Sequence, residues 1–139
     1  MLAIFDIDGT LAHMDDRRTP FEWDKVHLDR LDTVIARFVR MHYYVQDTIL
    51  MVSGRDGVCY EATRNWLDHH ELHRNELFMR KAGDFRDDTI IKKEIWENRI
   101  VPAYSPDPAS TIIYDDRDKV VAMWRSLGLK VFQVAPGNF

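Results

Sequence analysis

Leu2-Ala3-Ile4-Phe5-Asp6-Ile7-Asp8-Gly9-Thr10 sets two aspartates and a glycine directly behind a short apolar run. An unbroken apolar run of this length suits a strand covered on both faces, as in a parallel sheet. Asp6 and Asp8 then project from the strand's carboxyl end. Gly9 lets the backbone approach a bound anion closely, and the neighbouring N–H groups are expected to form an anion-binding nest. An acidic pair alone is a weak signal, since such pairs are common on solvated turns. Following an apolar strand and closed by Gly-Thr, it is far more specific.

Four more stretches repeat the strand pattern: Thr48 to Val52, Glu76 to Met79, Thr111 to Tyr114 and Val131 to Val134. Between them lie apolar stripes at helical spacing. Leu31, Val34, Ile35 and Phe38 form one, and Ala62, Trp66 and Leu67 with a neutral His70 form another. Ile91, Ile95 and Trp96 form a third. Val120, Val121, Trp124 and Leu127 form a fourth, which Gly128 is placed to stop. Strands alternating with helices predict one α/β domain over residues 1–139, a three-layer sandwich around a mostly parallel sheet with right-handed crossovers. Ligands of such sheets sit beyond the carboxyl ends of the strands. Asp6 and Asp8, Ser53-Gly54-Arg55 and Asp115-Asp116-Arg117 all follow predicted strands, so three polar clusters should meet on one edge.

Asp115-Asp116 is either an acidic turn capping the helix that begins near Arg117 or a carboxylate pair neutralised by a hard cation. Mg²⁺ typically takes one or two carboxylates together with waters and phosphate oxygens. Lys92 and Lys93 are expected to open a helix, where one ammonium would offset repulsion between a carboxylate nucleophile and a phosphate. Asp88, four residues earlier, shares a helix face with Lys92 and would aim it; a surface ion pair is the plainer reading.

Composition narrows the classes. Of 139 residues, 45% are apolar and 30% charged, a soluble globular balance. No apolar run approaches the roughly 18 residues of a membrane span, and the opening residues lack the basic region of a signal peptide. One cysteine, Cys59, permits no internal disulfide and fits a reducing, cytoplasmic compartment. A formal net charge of −4 argues against extended duplex binding held by phosphate contacts.

Asp6-Ile7-Asp8-Gly9-Thr10, Val52-Ser53-Gly54-Arg55, Lys92 and Asp115-Asp116 together resemble the four motifs of the haloacid-dehalogenase (HAD) phosphatase superfamily. Arg17, Pro20-Phe21, Gly83-Asp84-Phe85-Arg86, Val120 to Arg125 and Val131 to Phe139 are further similar to the 3′-phosphatase domain of bacteriophage polynucleotide kinase/phosphatase. The resemblance implies a HAD-like fold, Mg²⁺ as cofactor, and a 3′-phosphorylated DNA or RNA end as substrate, acted on in a cytoplasm, the host's if the gene is phage-borne. It implies Asp6 as nucleophile, forming an aspartyl-phosphate, and Asp8 as general acid and base. Lys92 and Ser53 would hold the phosphate beside Thr10 and Gly54. Asp6, the Asp8 carbonyl and Asp116 would hold the metal, with Asp115 beside them. Arg17 and Arg55 would serve the substrate, and Asp88 would support Lys92. Acidic neighbours are expected to keep Asp8 partly protonated. No G-x-x-x-x-G-K-[ST] occurs, so no kinase activity is expected.

The excursion between Leu11 and Leu31 is about twenty residues, loop-length rather than a folded cap. An open site admits a polymer end. A small-molecule or nucleotide phosphatase of the same superfamily is the alternative, and an inactive end-binding or protein-binding module a remote one. His69, His70 and His73 read as a solvated or partly packed helix end rather than a metal site. Trp66, Trp96 and Trp124 read as core. Trp23, in the excursion, is the aromatic candidate for substrate contact. Cys59 reads as a small buried apolar residue.

Overall fold

The opening run forms β1 (Leu2–Phe5), the middle strand of the main sheet in the computed structural model, which describes residues 1–139. A small antiparallel hairpin follows, β2 (Ala12–His13) against β3 (Arg30–Leu31). The chain continues through α1 (Thr33–Tyr44), β4 (Thr48–Asp56), α2 (Tyr60–His69), β5 (Glu76–Arg80) and α3 (Asp88–Ile95). One π-helical turn (Trp96–Ile100) joins α3 to α4 (Val101–Tyr104), and β6 (Thr111–Asp115), α5 (Asp118–Ser126) and β7 (Lys130–Gln133) complete the order.

The five-stranded sheet runs β5-β4-β1-β6-β7 with every neighbouring pair parallel. From β1 the chain winds outward to β4 and β5, then crosses back to β6 and β7 on the other side. The order therefore reverses at β1, and a crevice opens beyond its carboxyl end. Asp6 is the first residue there.

Strand alternation divides the core into two layers. Ala3, Phe5, Ile49, Met51 and Tyr114 face α1 and α2, packing with Val39, Trp66 and Leu67. Leu2, Ile4, Leu50, Val52 and Ile113 face α3 and α5, packing with Ile95, Trp96 and Trp124. This is the expected three-layer α/β sandwich. The excursion over the strand ends is a hairpin and one 3₁₀ segment, Trp23–Leu28, so the cap is minimal. No helix is long and apolar enough to cross a membrane.

Several expected details differ. Leu31 lies in β3, and α1 turns Ile35, Ala36 and Val39 inward while Val34 is 65% exposed. Asp32 fixes this phase by accepting from the N–H groups of Val34 and Ile35, each at 3.0 Å. Ser53, Gly54 and Arg55 lie within β4 rather than after it, because pairing with β5 resumes beyond a register shift at Asp56–Arg80. Asp87 caps α3, which moves Lys92 from the helix start into its second turn, on the buried face with Ile91 and Ile95. Trp66, Trp96, Trp124 and Cys59 are buried as expected. His73 stacks on Tyr43, and His70 packs against Trp66.

Ile35→Ala is expected to cost about 2–5 kcal/mol of stability through the cavity it leaves. Val34→Ala should stay within about 0.5 kcal/mol. Urea unfolding midpoints compare the two, and equal losses would contradict the observed phase of α1.

Candidate active site

Immediately behind β1, the carbonyl of Ile7 accepts from the N–H groups of Thr10, Leu11 and Ala12, and Gly9 donates to Ala12 O. These N–H groups hold the turn itself, so the nest expected from Gly9 does not form from them. Gly9 has φ +84°, and a Cβ there would collide with the Asp116 carboxylate. Its absence of side chain is what lets the two loops touch.

Lys92 reaches across the sheet end and donates to Asp6 Oδ1 and Asp115 Oδ2, both at 2.8 Å, fully inside the protein. Burial alone would drive the ammonium towards neutrality. The charges of Asp115 and Asp6 and their hydrogen bonds outweigh it and hold the lysine well above its ordinary range. Thr10 Oγ1 donates to Asp6 Oδ2 at 3.2 Å, so both carboxylate oxygens of Asp6 are tethered. Asp115 also takes the Trp124 indole N–H (3.3 Å) and the backbone N–H groups of Asp116 (2.9 Å) and Arg117 (3.3 Å).

No lysine or arginine side chain donates a hydrogen bond to the Asp116 carboxylate. Carboxylate oxygens of Asp6, Asp115 and Asp116 lie within 4.8 Å of one another, all three residues buried. Burial first, and then Asp115, push the Asp116 carboxyl up to about 6 against the pull of Lys92. Burial likewise raises Asp6 well above the usual carboxylate range; Lys92 opposes it, and the other two aspartates reinforce it.

Asp8 points the other way. Arg55 grips it through Nε (3.0 and 3.1 Å) and Nη2 (2.7 Å), and Arg18 Nη2 adds a contact at 3.3 Å. Both arginines are held from behind by Asp29, whose side chain is wholly buried: Arg18 at 2.7 and 2.8 Å, Arg55 at 2.7 Å. Arg55 Nη1 donates to Thr63 Oγ1 at 3.0 Å. The neighbours that reach Asp8 are guanidiniums, not the expected carboxylates.

Asp88 makes a third knot. It accepts from Arg80 at the end of β5 and from Arg117 Nη1 (3.0 Å) after β6. The expected Asp88–Lys92 pair does not form, since Lys92 turns inward. Gly54 is required here, because a Cβ would lie 2.5 Å from Asp88 Oδ1.

Asp6, Asp8, Ser53, Lys92, Asp115 and Asp116 line one cavity of about 470 Å³. Gly54, Arg55, Asp88 and Trp23 line it too. Ser53 is buried, its Oγ accepting from Arg55 N, which leaves the hydroxyl proton to donate. Three expected roles change. Thr10 is off the cavity and holds Asp6. Arg55 holds Asp8, with a donor from each of its three nitrogens engaged by the protein. Arg17 is exposed, near Leu28 O and Asp15, and the buried arginine beside Asp8 is its neighbour Arg18. The sequence reading missed Arg18, Asp29, Thr63 and Arg80; it placed Arg117 at this edge without its bond to Asp88. Arg17-Arg18 is adjacent, and only the buried partner Asp29 separates the two. Asp29 sits in a stretch with no apolar period to flag it.

The polynucleotide kinase PNKP phosphatase-domain family model matches residues 1–139. The chain belongs to that family. A baculovirus protein of Autographa californica nuclear polyhedrosis virus, named for a bifunctional polynucleotide kinase/RNA ligase role, is 31% identical over 136 residues, 95% of this chain and 19% of that protein. Two solved structures, of a Pnkp1/Rnl/Hen1 complex and of the Pnkp1/Rnl/Hen1 RNA repair complex, match with TM-score 0.91 and 34% identity. Each match covers 99% of this chain, and 47% and 43% of the respective partner chain. The phosphatase domain thus spans less than half the length of these relatives.

A phosphatase domain of this kind is metal dependent, and the carboxylate set fits a hard divalent cation. Three buried acids face one ammonium, which bonds Asp6 and Asp115 and leaves Asp116 without a cationic donor. Asp6 and Asp116 are the carboxylates placed to hold such a cation, with Asp115 fixed beside them by its own donors.

Arg18→Ala would leave Asp29 short of its bidentate partner and is expected to cost about 3 kcal/mol or more, whereas Arg17→Ala stays within about 0.5 kcal/mol. Urea unfolding of both variants checks this. Saturating Mg²⁺ should raise the apparent stability by about 2–3 kcal/mol at a hundred times its dissociation constant. Asp116→Asn should abolish that gain in thermal melts run with Mg²⁺ against EDTA.

Proposed function

We propose that the chain is a Mg²⁺-dependent phosphomonoesterase that removes the 3′-phosphate from RNA or DNA ends through an aspartyl-phosphate on Asp6. The observation that carries this is the division of the Asp6/Asp8 pair. One carboxylate is tethered to Lys92 and Thr10 beside an acidic triad, and the other is gripped by Arg55 and Arg18 across the same cavity.

Phosphate monoesters hydrolyse extremely slowly without catalysis, and a sugar alkoxide is a poor leaving group. Covalent catalysis divides the reaction into two in-line displacements. A carboxylate oxygen of Asp6 attacks phosphorus as the bond to O3′ breaks, and Asp8, which must enter this step protonated against the pull of Arg55 and Arg18, gives its proton to O3′. Asp8, now a carboxylate, takes a proton from water as that water attacks phosphorus and frees Asp6. Lys92 and the Ser53 hydroxyl face the phosphate oxygens and offset their charge. Bound Mg²⁺ would neutralise the phosphate and the acidic triad. Arg55, Arg18 and Asp29 keep Asp8 in one orientation through both steps.

End specificity is supported by the family and by the minimal cap, which leaves the cavity open to a polymer. RNA is favoured by the RNA repair complex in which the structural relatives were solved.

Asp6→Asn is expected to lower kcat on a 3′-phosphorylated oligonucleotide by roughly 10⁴-fold or more. Acid quench of a single turnover with ³²P-labelled substrate should leave label on the wild-type chain and none on Asp6→Asn. Comparison of 3′-phosphorylated oligonucleotide with 3′-mononucleotide and sugar phosphate tests the substrate. Equal or higher kcat/KM on the small compounds would sink the end-processing assignment.

A further inference from the structure

Helix α1 gives Ile35, Ala36 and Val39 to the core and turns a second face to solvent. Two rows run side by side along that face, each stepping by four, three and four residues, the spacing that keeps side chains in line on a helix. Val34, Phe38, Met41 and the C-cap residue Val45 make an apolar row, with Val34 65% exposed, Met41 56% and Val45 69%. Thr33, Arg37, Arg40 and Tyr44 make a polar row beside it, and Tyr44 is 89% exposed. The apolar surface continues onto the sheet edge. Tyr114 links Phe38 (5.7 Å between ring centroids) to Phe132 (5.6 Å), which is half-exposed on the edge strand β7.

A helix face that meets only water usually carries charges of both signs. This one carries an apolar row, and α1 has no acidic residue. Surface arginines elsewhere in the chain find carboxylates: Arg30 pairs with Asp15, Arg64 with Glu61, and Arg86 with Asp84 and Glu94. Arg40 has only the His70 carbonyl, at 3.1 Å, and Arg37 has no partner in the protein. With Thr33, Met41 and Tyr44 the two guanidiniums line an open surface cavity of about 420 Å³. No residue of α1 lines the catalytic cavity.

The chemistry of the face selects what covers it. A row of Val, Phe and Met is matched by the apolar side of an amphipathic helix. Two guanidiniums along one flank, without carboxylates of their own, are matched by acidic side chains. A second copy of this chain would bring the same face, and so no carboxylate. A nucleic-acid backbone would answer the arginines and leave the apolar row in water.

We propose that the outward face of α1 docks an acidic amphipathic helix of a partner protein. Its apolar side lies on Val34, Phe38, Met41 and Val45, and its Asp or Glu flank lies on Arg37 and Arg40. This surface is separate from the catalytic cavity, so docking leaves that cavity open, and the inference stands independently of the reaction proposed there.

The probe is a displayed library of helical peptides of about fifteen residues, slightly longer than α1, selected on the whole chain. Enriched peptides should carry apolar residues at three- and four-residue spacing with Asp or Glu along one flank. Fluorescence anisotropy then gives the dissociation constant of the tightest. Arg37→Glu should raise it on the order of tenfold, and replacing the peptide's acids with lysine should restore binding to that variant. Met41→Asp should raise it on the order of a hundredfold, as loss of a central apolar anchor does. Both positions are exposed, and thermal unfolding of the variants should match wild type. Hydrolysis of a 3′-phosphorylated oligonucleotide should be unchanged in both variants and in wild type saturated with peptide. No enriched peptide, enriched peptides without an acidic flank, or binding indifferent to both substitutions would overturn the proposal. So would self-association of the chain abolished by Met41→Asp, which assigns the face to a second copy. RNA binding lost in Arg37→Glu and kept in Met41→Asp would overturn it in favour of a nucleic-acid strand.

Discussion

A single ammonium buried between two carboxylates holds this molecule's chemistry in place. Lys92 lies 86 residues from Asp6 and 23 from Asp115, and donates to each at 2.8 Å. A lysine removed from water is tolerated only when its charge is matched and its donors are filled. That demand draws α3 onto the ends of β1 and β6 together. It also explains why Trp124, on α5, aims its N–H at the same Asp115 oxygen. The apolar layer under α3 and α5 thus closes around a charged centre that it alone could not support.

The two motif aspartates are served by separate networks. Asp6 belongs to the lysine and the acidic triad. Asp8 belongs to a guanidinium pair anchored on Asp29, which never touches the cavity. Asp88 ties the ends of β5 and β6. Each network joins elements distant in sequence, and each supplies orientation to a group that must not wander by an ångström. Seven aspartates and five cations, Arg55, Arg80, Arg86, Lys92 and Arg117, line the cavity together.

The strands were legible because apolar runs bounded by polar clusters leave little choice, and the five-strand sheet follows from them. The cavity residues Asp6, Asp8, Ser53, Lys92, Asp115 and Asp116 were legible because strand ends in such a sheet face one crevice. What the sequence concealed was direction. Lys92 turning inward rather than towards Asp88 depends on where Asp87 caps the helix. The choice of Arg18 over Arg17 depends on a carboxylate eleven residues on, in a stretch without periodicity. The inward face of α1 was misread by one position, because Val34 and Ile35 are equally apolar and only the Asp32 cap sets the phase.

The parallel order has a consequence for how the chain acquires activity. Every pairing in a parallel sheet joins residues far apart in sequence, and such contacts form late because loop closure precedes any gain. Asp8 waits for Arg55, 47 residues on, and Asp6 for Lys92. The carboxylates that repel one another come together when β1 pairs with β6, Phe5 beside Tyr114. The site therefore belongs to the assembled sheet and to no single stretch of the chain.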